Sequence, residues 1–440
     1  MIRPYGVLHG PSIEAPVRLR LYLGTRRRLT ALHSRSASDS LFPRFGSLRG
    51  RGEKMRLKSV TYREYAGSTQ FWCLEKMTYG PRMLIVGKNS AGKSRSITVL
   101  ASLARNISGR QPPGLSGDYF AEFDFDGHAY TYEVRYSEGA VEHERIAIDE
   151  REYLSRGVGG FGKIVAEKIG GGLVMDFQLP PNILAATARR DAVQHSFIEP
   201  LFEWADSLRH YQFAGIAQGA LAVFIPGAQA VDIRDQNAVA GVFKEGKKLF
   251  SDEFVESIKR DMSAIDYAID EIELAPPVTI RVNGFGPQQP VSLCVREAGL
   301  PGVTDQLGMS TGMFRVLALL IHVNFAQFKG AVSTVLVDDI GEGLDFDRSC
   351  RLIELLRDKA VQYGFQLVMS TNDKFVMNHV PLEEWTVLHR EGNTVHVKNN
   401  QNSKAAFDEF KFTGLSNFSF FEMNAVEMAQ EIDDEEGRDA

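Results

Sequence analysis

Apolar and polar positions along this chain follow two rhythms, and the switches between them outline its elements. Residues 55–67 (MRLKSVTYREYAG) alternate with a period of two and read as a strand. MLIVGK at 83–88 is a short continuous apolar run, the pattern of a strand buried on both faces. After a glycine turn, SRSITVLASLARNI at 94–107 places its apolar residues at helical spacing. Residues 118–148 alternate again. Turns at Gly127 and at Ser137-Glu138-Gly139 make this an antiparallel meander. Residues 157–172 contain seven glycines and are expected to form a flexible loop.

Residues 182–270 read mostly as helix, without the long heptad run of a coiled-coil arm. Asn283-Gly284 predicts a hairpin over 278–296, and residues 311–328 read as a buried helix. STVLVDD, FQLVMS and TVLHREGNTVHV read as strands, the last folding back at Glu391-Gly392-Asn393. There is no internal repeat.

Composition narrows the class. The chain has 440 residues, 44% hydrophobic and 24% charged, which is globular composition. No run of about 18 apolar residues suggests a membrane span, and a cytoplasmic location without membrane contact is expected. Cys73, Cys294 and Cys350 form no CxxC pair, which excludes a disulfide scaffold and a cysteine zinc site. The net charge of −6 hides an asymmetry: residues 1–54 carry +8 and the remaining 386 carry −14. An acidic body does not coat nucleic acid, because phosphate neutralisation dominates such binding. A DNA or RNA contact would need a local basic groove. Arg26-Arg27-Arg28 leaves a presequence or a nucleic-acid arm open for the first 54 residues. The favoured expectation is an extension outside the fold, dispensable for folding, because Met55 opens a strand. The last ten residues hold six acids and one base and read as a solvated tail.

The strongest chemical signal is Gly87-Lys88-Asn89-Ser90-Ala91-Gly92-Lys93-Ser94, a G-x4-G-K-S loop between a strand and a helix. Glycines let the backbone turn so that amide N–H groups of Asn89, Ser90, Ala91 and Gly92 face phosphate oxygens, and the helix N-terminus adds partial positive charge. Lys93 would reach the outer phosphates of ATP, and Ser94 and Asp338 would hold Mg²⁺. Asp338 and Asp339 end STVLVDD. Alone they would be an ordinary strand end. Paired with the glycine loop, the first acid suits the metal and the second suits orienting the attacking water.

Three further pieces carry a resemblance. Ser310 and Gly312, in MSTGMFR, stand before a helix; Gly343-Leu344-Asp345 follows the acids; Thr371-Asn372-Asp373 follows the third strand. In this order the set resembles ABC-type ATPases, and within them the soluble OLD-type and SMC-like ATPases of phage defence and DNA maintenance. About 215 residues separate Ser94 from Ser310, which suits transporter heads less well. The resemblance implies an α/β P-loop NTPase of ABC-head type: a mixed central sheet with an antiparallel meander and an inserted helical lobe. It implies an N-terminal lobe at 55–180, a helical insertion with a hairpin at 181–300, a C-terminal lobe at 301–400, and a segment 401–440 carrying the tail.

By the same resemblance, Ser310 and Gly312 of one head would contact the γ-phosphate held by another, with Asp345 beside them. ATP would then hold a homodimer or higher homo-oligomer together. The chain departs from the family pattern in three places. Asp339 stands where a catalytic Glu is usual, with Glu342 as a rival. Asn372 stands near the place of a switch His and cannot accept a proton as His can. About 65 residues follow Asp373, too few for the TOPRIM nuclease of OLD-type proteins. These features imply slow hydrolysis and a nucleotide-driven switch controlling a separate effector, a nuclease or toxin. A DNA-processing ATPase that clamps nucleic acid itself is the alternative. By the resemblance, Gln178 is the candidate for the glutamine that senses Mg²⁺. Arg189-Arg190 and Lys244 to Lys248 read as solvated helix faces, and His195 and His210 as structural residues on helices.

Overall fold

A computed structural model describes residues 18–21, 54–168, 172–224, 231–281, 289–412 and 415–422. In chain order its strands are β1 (Arg18–Leu21), β2 (Arg56–Glu64), β3 (Trp72–Thr78), β4 (Arg82–Gly87), β5 (Ser116–Phe125), β6 (His128–Ser137), β7 (Ala140–Ile148), β8 (Arg151–Arg156), β9 (Phe161–Ala166), β10 (Leu173–Gln178), β11 (Arg209–Gln212), β12 (Ala220–Val223), β13 (Ile269–Ala275), β14 (Ser292–Glu297), β15 (Thr304–Asp305), β16 (Thr334–Asp338), β17 (Gln366–Ser370), β18 (Trp385–Glu391) and β19 (Thr394–Asn399). The helices are α1 (Lys93–Ile107), α2 (Ala185–Ala188), α3 (Glu199–Ser207), α4 (Val239–Ala264), α5 (Thr311–Phe328), α6 (Phe346–Tyr363), α7 (Lys374–His379), α8 (Lys404–Phe412) and α9 (Asn417–Glu422).

Fourteen strands form one mixed sheet, in the order β10-β9-β8-β7-β6-β5-β2-β3-β19-β18-β4-β17-β16-β11. From β18 to β11 all neighbours run parallel. From β10 to β3 all run antiparallel, as the alternating pattern of the meander requires. β16 and β17 are buried along their full length, and β4 from Met83 onward, which is why their sequences are continuous apolar runs. Their side chains divide between two cores. Leu84, Val86, Val335, Val337, Leu367 and Met369 pack with α4, α5 and α6. Met83, Ile85, Leu336 and Val368 pack with α1, α3 and the meander. The period of two thus places the sheet as the middle layer of three. α5, long and apolar enough by composition to cross a membrane, is instead the buried helix of the first core.

Several expectations change. Residues 182–270 are not a helical lobe alone, because β11 and β12 lie within them and β11 joins the central sheet. A four-residue strand is too short to display a period. His210 is therefore on a strand. His195 precedes a short 3-10 turn and lies against Arg189 O at 2.7 Å. Arg189 and Arg190 follow α2 rather than lying on a helix face, and Arg190 pairs with Glu199. The glycine-rich stretch contains β9, paired to β8 and β10. A Cβ at Gly162 would meet Ser155 O at 2.5 Å and Phe177 Cζ at 2.6 Å, so this glycine permits close strand approach rather than flexibility. β14 pairs with β13, not with residues near 278; Asn283-Gly284 lies outside the described residues. Residues 18–21 form β1, parallel to β12; the rest of 1–53 and the acidic tail lie outside the described residues.

One buried polar set ties the first core together. Lys359 Nζ on α6 contacts Asp261 Oδ2 on α4 at 2.8 Å and donates to Gln327 Oε1 on α5 at 3.2 Å. Asn324 Nδ2 donates to the same carboxylate at 2.6 Å. Lys359→Ala leaves that buried charge without its cation and is expected to cost about 3–5 kcal/mol in urea unfolding. Lys359→Met combined with Asp261→Leu removes both charges and should recover most of the loss. A single-variant cost under about 1 kcal/mol would contradict burial of the pair.

Candidate functional site

The parallel strands end in register, and their C-terminal edge gathers the chemistry. Leu388 lies opposite Gly87, Ser370 opposite Ile85, and Gln212 opposite Asp338. At the end of β4 a Cβ on Gly87 would sit 2.7 Å from Leu388 O, so only glycine fits. The loop then turns through Ser90 at φ 69° and Gly92 at φ 103° into α1. Gly92 caps that helix without a side-chain hydrogen bond, which leaves the first-turn N–H groups available to an anion. Lys88, Asn89 and Ser90 are exposed, Ala91 is buried and Ser94 is exposed.

The Lys93 side chain is buried in this loop and donates to Gly87 O at 2.7 Å and Lys88 O at 3.2 Å. Burial pushes its pKa down, and the charges of Asp339 and Asp338 push it back up. A cavity of about 690 Å³ opens beside the loop, between Lys88–Ala91, the β18–β19 hairpin and α9.

Ser370 organises the acids. Its hydroxyl donates to Asp338 Oδ1 and accepts the Asp339 N–H at 3.0 Å. Asp338 is buried; Asp339 is half-buried at φ 53°, a left-handed conformation uncommon for a non-glycine residue. Asn372 Nδ2 reaches Asp339 Oδ1 at 3.5 Å. Burial, then the charges of Asp338 and Glu342, push the Asp339 pKa up, and Lys93 pulls it down. Glu342 is exposed, and its backbone oxygen accepts from Arg315 at 2.9 Å. The loop, Asp338, Asp339, Glu342 and Asn372 therefore form one group.

Ser310, Gly312 and Asp345 form another. Ser310 caps α5, its hydroxyl accepting Met313 N–H at 3.2 Å. It lines a separate cavity of about 390 Å³ with Tyr267, Glu297 and Arg348. A Cβ on Gly312 would meet Gly343 O at 2.9 Å, so the first turn of α5 packs directly on the Gly343-Leu344-Asp345 segment. Asp345 caps α6 through Arg348 N–H and also pairs with the Arg348 guanidinium at 2.8 Å. These bonds hold its carboxyl below the usual range.

Gln178 lies at the end of β10, the edge strand, with nine strands between it and β4. That placement removes it from the site. The glutamine at the strand ends is Gln212, exposed and in register with Asp338. Its strand was hidden within a stretch that reads as helix, so periodicity gave no signal for it.

Asp339 yields a signed expectation. Its folded carboxyl takes up a proton more readily than the unfolded one, so its ionisation costs stability at neutral pH and none below the ordinary carboxylate pKa of about 4. Asp339→Asn should melt higher at pH 7.5, the gain shrinking to nothing as pH falls below about 4. A calorimetric series showing an unchanged or lower melting temperature at pH 7.5 would contradict the crowding of charge around it.

No family model matches the chain, and no curated protein matches it. Among the solved structures that match are three SMC heads, all at low identity. One is an Smc head bound to the C-winged helix domain of ScpA, at 14% identity over 78% of this chain and 97% of that chain, TM-score 0.45. A second is an Smc head domain with an extended coiled coil, bound to the C-terminal domain of ScpA derived from Pyrococcus furiosus, at 12% identity over 81% and 100%, TM-score 0.44. The third is an SMC head domain from Thermotoga maritima, at 14% identity over 78% and 98%, TM-score 0.40.

Proposed function

We propose that the chain is an ATP-binding and ATP-hydrolysing ABC-type ATPase. It pairs head to head around nucleotide and acts as a switch for a separate effector, in the anti-phage setting implied by its OLD-type sequence features. The observation that carries this reading is the placement of Lys93. Its ammonium lies in a glycine loop at the parallel strand ends, within electrostatic reach of two carboxylates at the end of β16, the next strand but one from β4. That is the donor set for a phosphate chain with its cation.

The residues fit Mg²⁺ as well. Among the described residues no cluster of three or more metal-ligating side chains exists. Mg²⁺ is suited to such a place, because it binds through one or two carboxylates plus substrate phosphates and keeps its own waters. Asp338, fixed by Ser370, and the exposed Ser94 hydroxyl would hold it. When bound, the ion neutralises phosphate charge. Loop amides and Lys93 bind and orient the phosphates. Asp339, with its raised affinity for a proton, orients the attacking water, and Asn372 steadies that carboxylate. Glu342 is the rival for this role. Gln212, in register with Asp338 across the strand pair, would be the glutamine that helps hold the cation, in place of Gln178. With Asp one methylene shorter than Glu, turnover is slow.

The division of candidate residues into two groups supports pairing. Ser310 opens onto a cavity distinct from the one beside the glycine loop, as expected if it serves the nucleotide of a second chain. ATP then tightens the pair, and ADP, lacking the bridging phosphate, loosens it.

An assay of ATP binding and phosphate release with Mg²⁺ tests this. Lys93→Ala should abolish both in a folded chain, and unchanged affinity would sink the reading. Gln212→Ala should slow release by roughly tenfold or more while keeping nucleotide binding, as loss of a group around a bound metal does; Gln178→Ala should change nothing. Ser310→Arg should block hydrolysis but not binding. Mixed with Lys93→Ala chains it should regain part of the activity, because a mixed pair retains one intact composite site. Full activity in Ser310→Arg alone would replace the shared site with a single-chain one.

A further inference from the structure

A second cluster of cations lies away from the glycine loop. A cavity of about 230 Å³ is lined by Ala101 and Arg105 of α1, Arg110, Leu208, His210 of β11, and Asp232, Arg234 and Asp235. Arg209, almost fully buried, adjoins it. Three arginines therefore line the cavity, a fourth, Arg209, lies within electrostatic reach of Arg110 and Arg234, and only Arg234 has carboxylate partners. Arg234 pairs with Asp206 and, at 3.6 Å, with Asp232. The others bond to neutral oxygens. Arg105 donates to Gln111 Oε1 at 3.0 Å and Ser102 Oγ at 2.9 Å. Arg110 donates to Ser108 Oγ at 2.8 Å and Ala205 O at 2.9 Å. Arg209 donates to Asp206 O and Leu208 O, both at 3.0 Å. Among the described residues none of these three has a carboxylate within ion-pair distance. The two carboxylates of the cavity wall are engaged locally: Asp232 accepts Arg234 N–H and Asp235 accepts Asn237 N–H, both at 3.0 Å.

Gathering like charges is costly unless something of opposite sign joins them. Burial and the charges of Arg234 and Arg209 push the Arg110 pKa down to about 10, against the pull of Asp206 and Asp232. His210 Nε2 is buried at the same place without a hydrogen-bond partner. Burial, then the charge of Arg105, push its pKa down to about 4, with Asp338 pulling the other way. It is therefore neutral at pH 7 and can bond to a ligand oxygen.

We infer that this cavity binds a phosphate group, free or on a small phosphomonoester, through Arg105, Arg110 and His210. Planar guanidinium forks arriving from α1 and from the loop after it suit a tetrahedral anion with several acceptor oxygens. At about 30 Å³ per water-sized group, the space takes a phosphate with some of its hydration but not a whole nucleotide. The inference does not rest on the ATPase reading. It concerns the far ends of the same two elements, because Arg105 lies about 18 Å along α1 from Lys93 at 1.5 Å per residue, and β11 ends at Gln212.

The test is calorimetric titration of the full chain with inorganic phosphate and, separately, glycerol phosphate, at constant ionic strength. The Lys93→Ala chain serves as a background in which the glycine loop no longer competes. Binding of either ligand should persist in Lys93→Ala and weaken at least tenfold when Arg105→Gln and Arg110→Gln are added. The tighter of the two ligands identifies the source of the phosphate group. Binding that vanishes in Lys93→Ala alone, or that ignores the arginine changes, overturns the site. If the arginine variants fail to fold, the His210 ring in the Lys93→Ala chain serves instead. Its imidazole resonance should shift, and its pKa should rise, on phosphate addition but not on chloride. A His210 signal indifferent to phosphate overturns the proposal. A short single-stranded oligonucleotide that displaces phosphate with tenfold higher affinity would overturn the small-ligand reading in favour of nucleic acid.

Discussion

Burial of β4, β16 and β17 on both faces is the constraint from which the rest follows. Because side chains alternate with a period of two, a slip by one residue sends every side chain to the opposite face, and here each face enters a different core. Leu84 and Val86 face one core while Met83 and Ile85 face the other, and the same division repeats on β16 and β17. Register is therefore fixed by packing, and with it the alignment of Gly87, Asp338 and Ser370 at one edge. Polar residues end each strand because the apolar layers end there.

That alignment brings anionic and cationic groups closer than water would favour. Two adjacent carboxylates and a buried ammonium share the edge, and the charges there act on the proton affinities of Lys93 and Asp339. Ser370 keeps the arrangement in place by bonding to Asp338 with its hydrogen and to the Asp339 backbone with its oxygen. The positive φ of Asp339 lets the chain turn away immediately after β16, so that Asp338 and Asp339 project differently.

What the sequence made legible was local and strongly patterned. The glycine loop, the apolar strands ending in polar residues, the meander and α5 all carry their structure within a few consecutive residues. β11 did not, since RHYQ is too short for a period and enters the sheet only through its neighbour β16. With β11 hidden, Gln212 was hidden too, whereas Gln178 stands on the far edge strand of the sheet. β9 was obscured for the opposite reason: its glycines serve contact between strands, yet glycine reads as a loop. Among the site residues, chain order placed Asp338 and Asp339 beside the loop. The placement of Ser310 on a second cavity needed the fold itself.

The lysine of the glycine loop is not waiting in open space. It holds two backbone carbonyls of its own loop, Gly87 O and Lys88 O. An incoming anion has to displace bonds already made, so the loop measures a difference rather than a sum. A weakly accepting ion gains too little from Lys93 to compensate for the carbonyls it frees. On the proposed reading a polyphosphate, with several charged oxygens meeting the loop amides at once, would gain more than it displaces. The internal bonds thus act as a threshold, and among the many small anions around any protein they screen out those that cannot engage the whole loop.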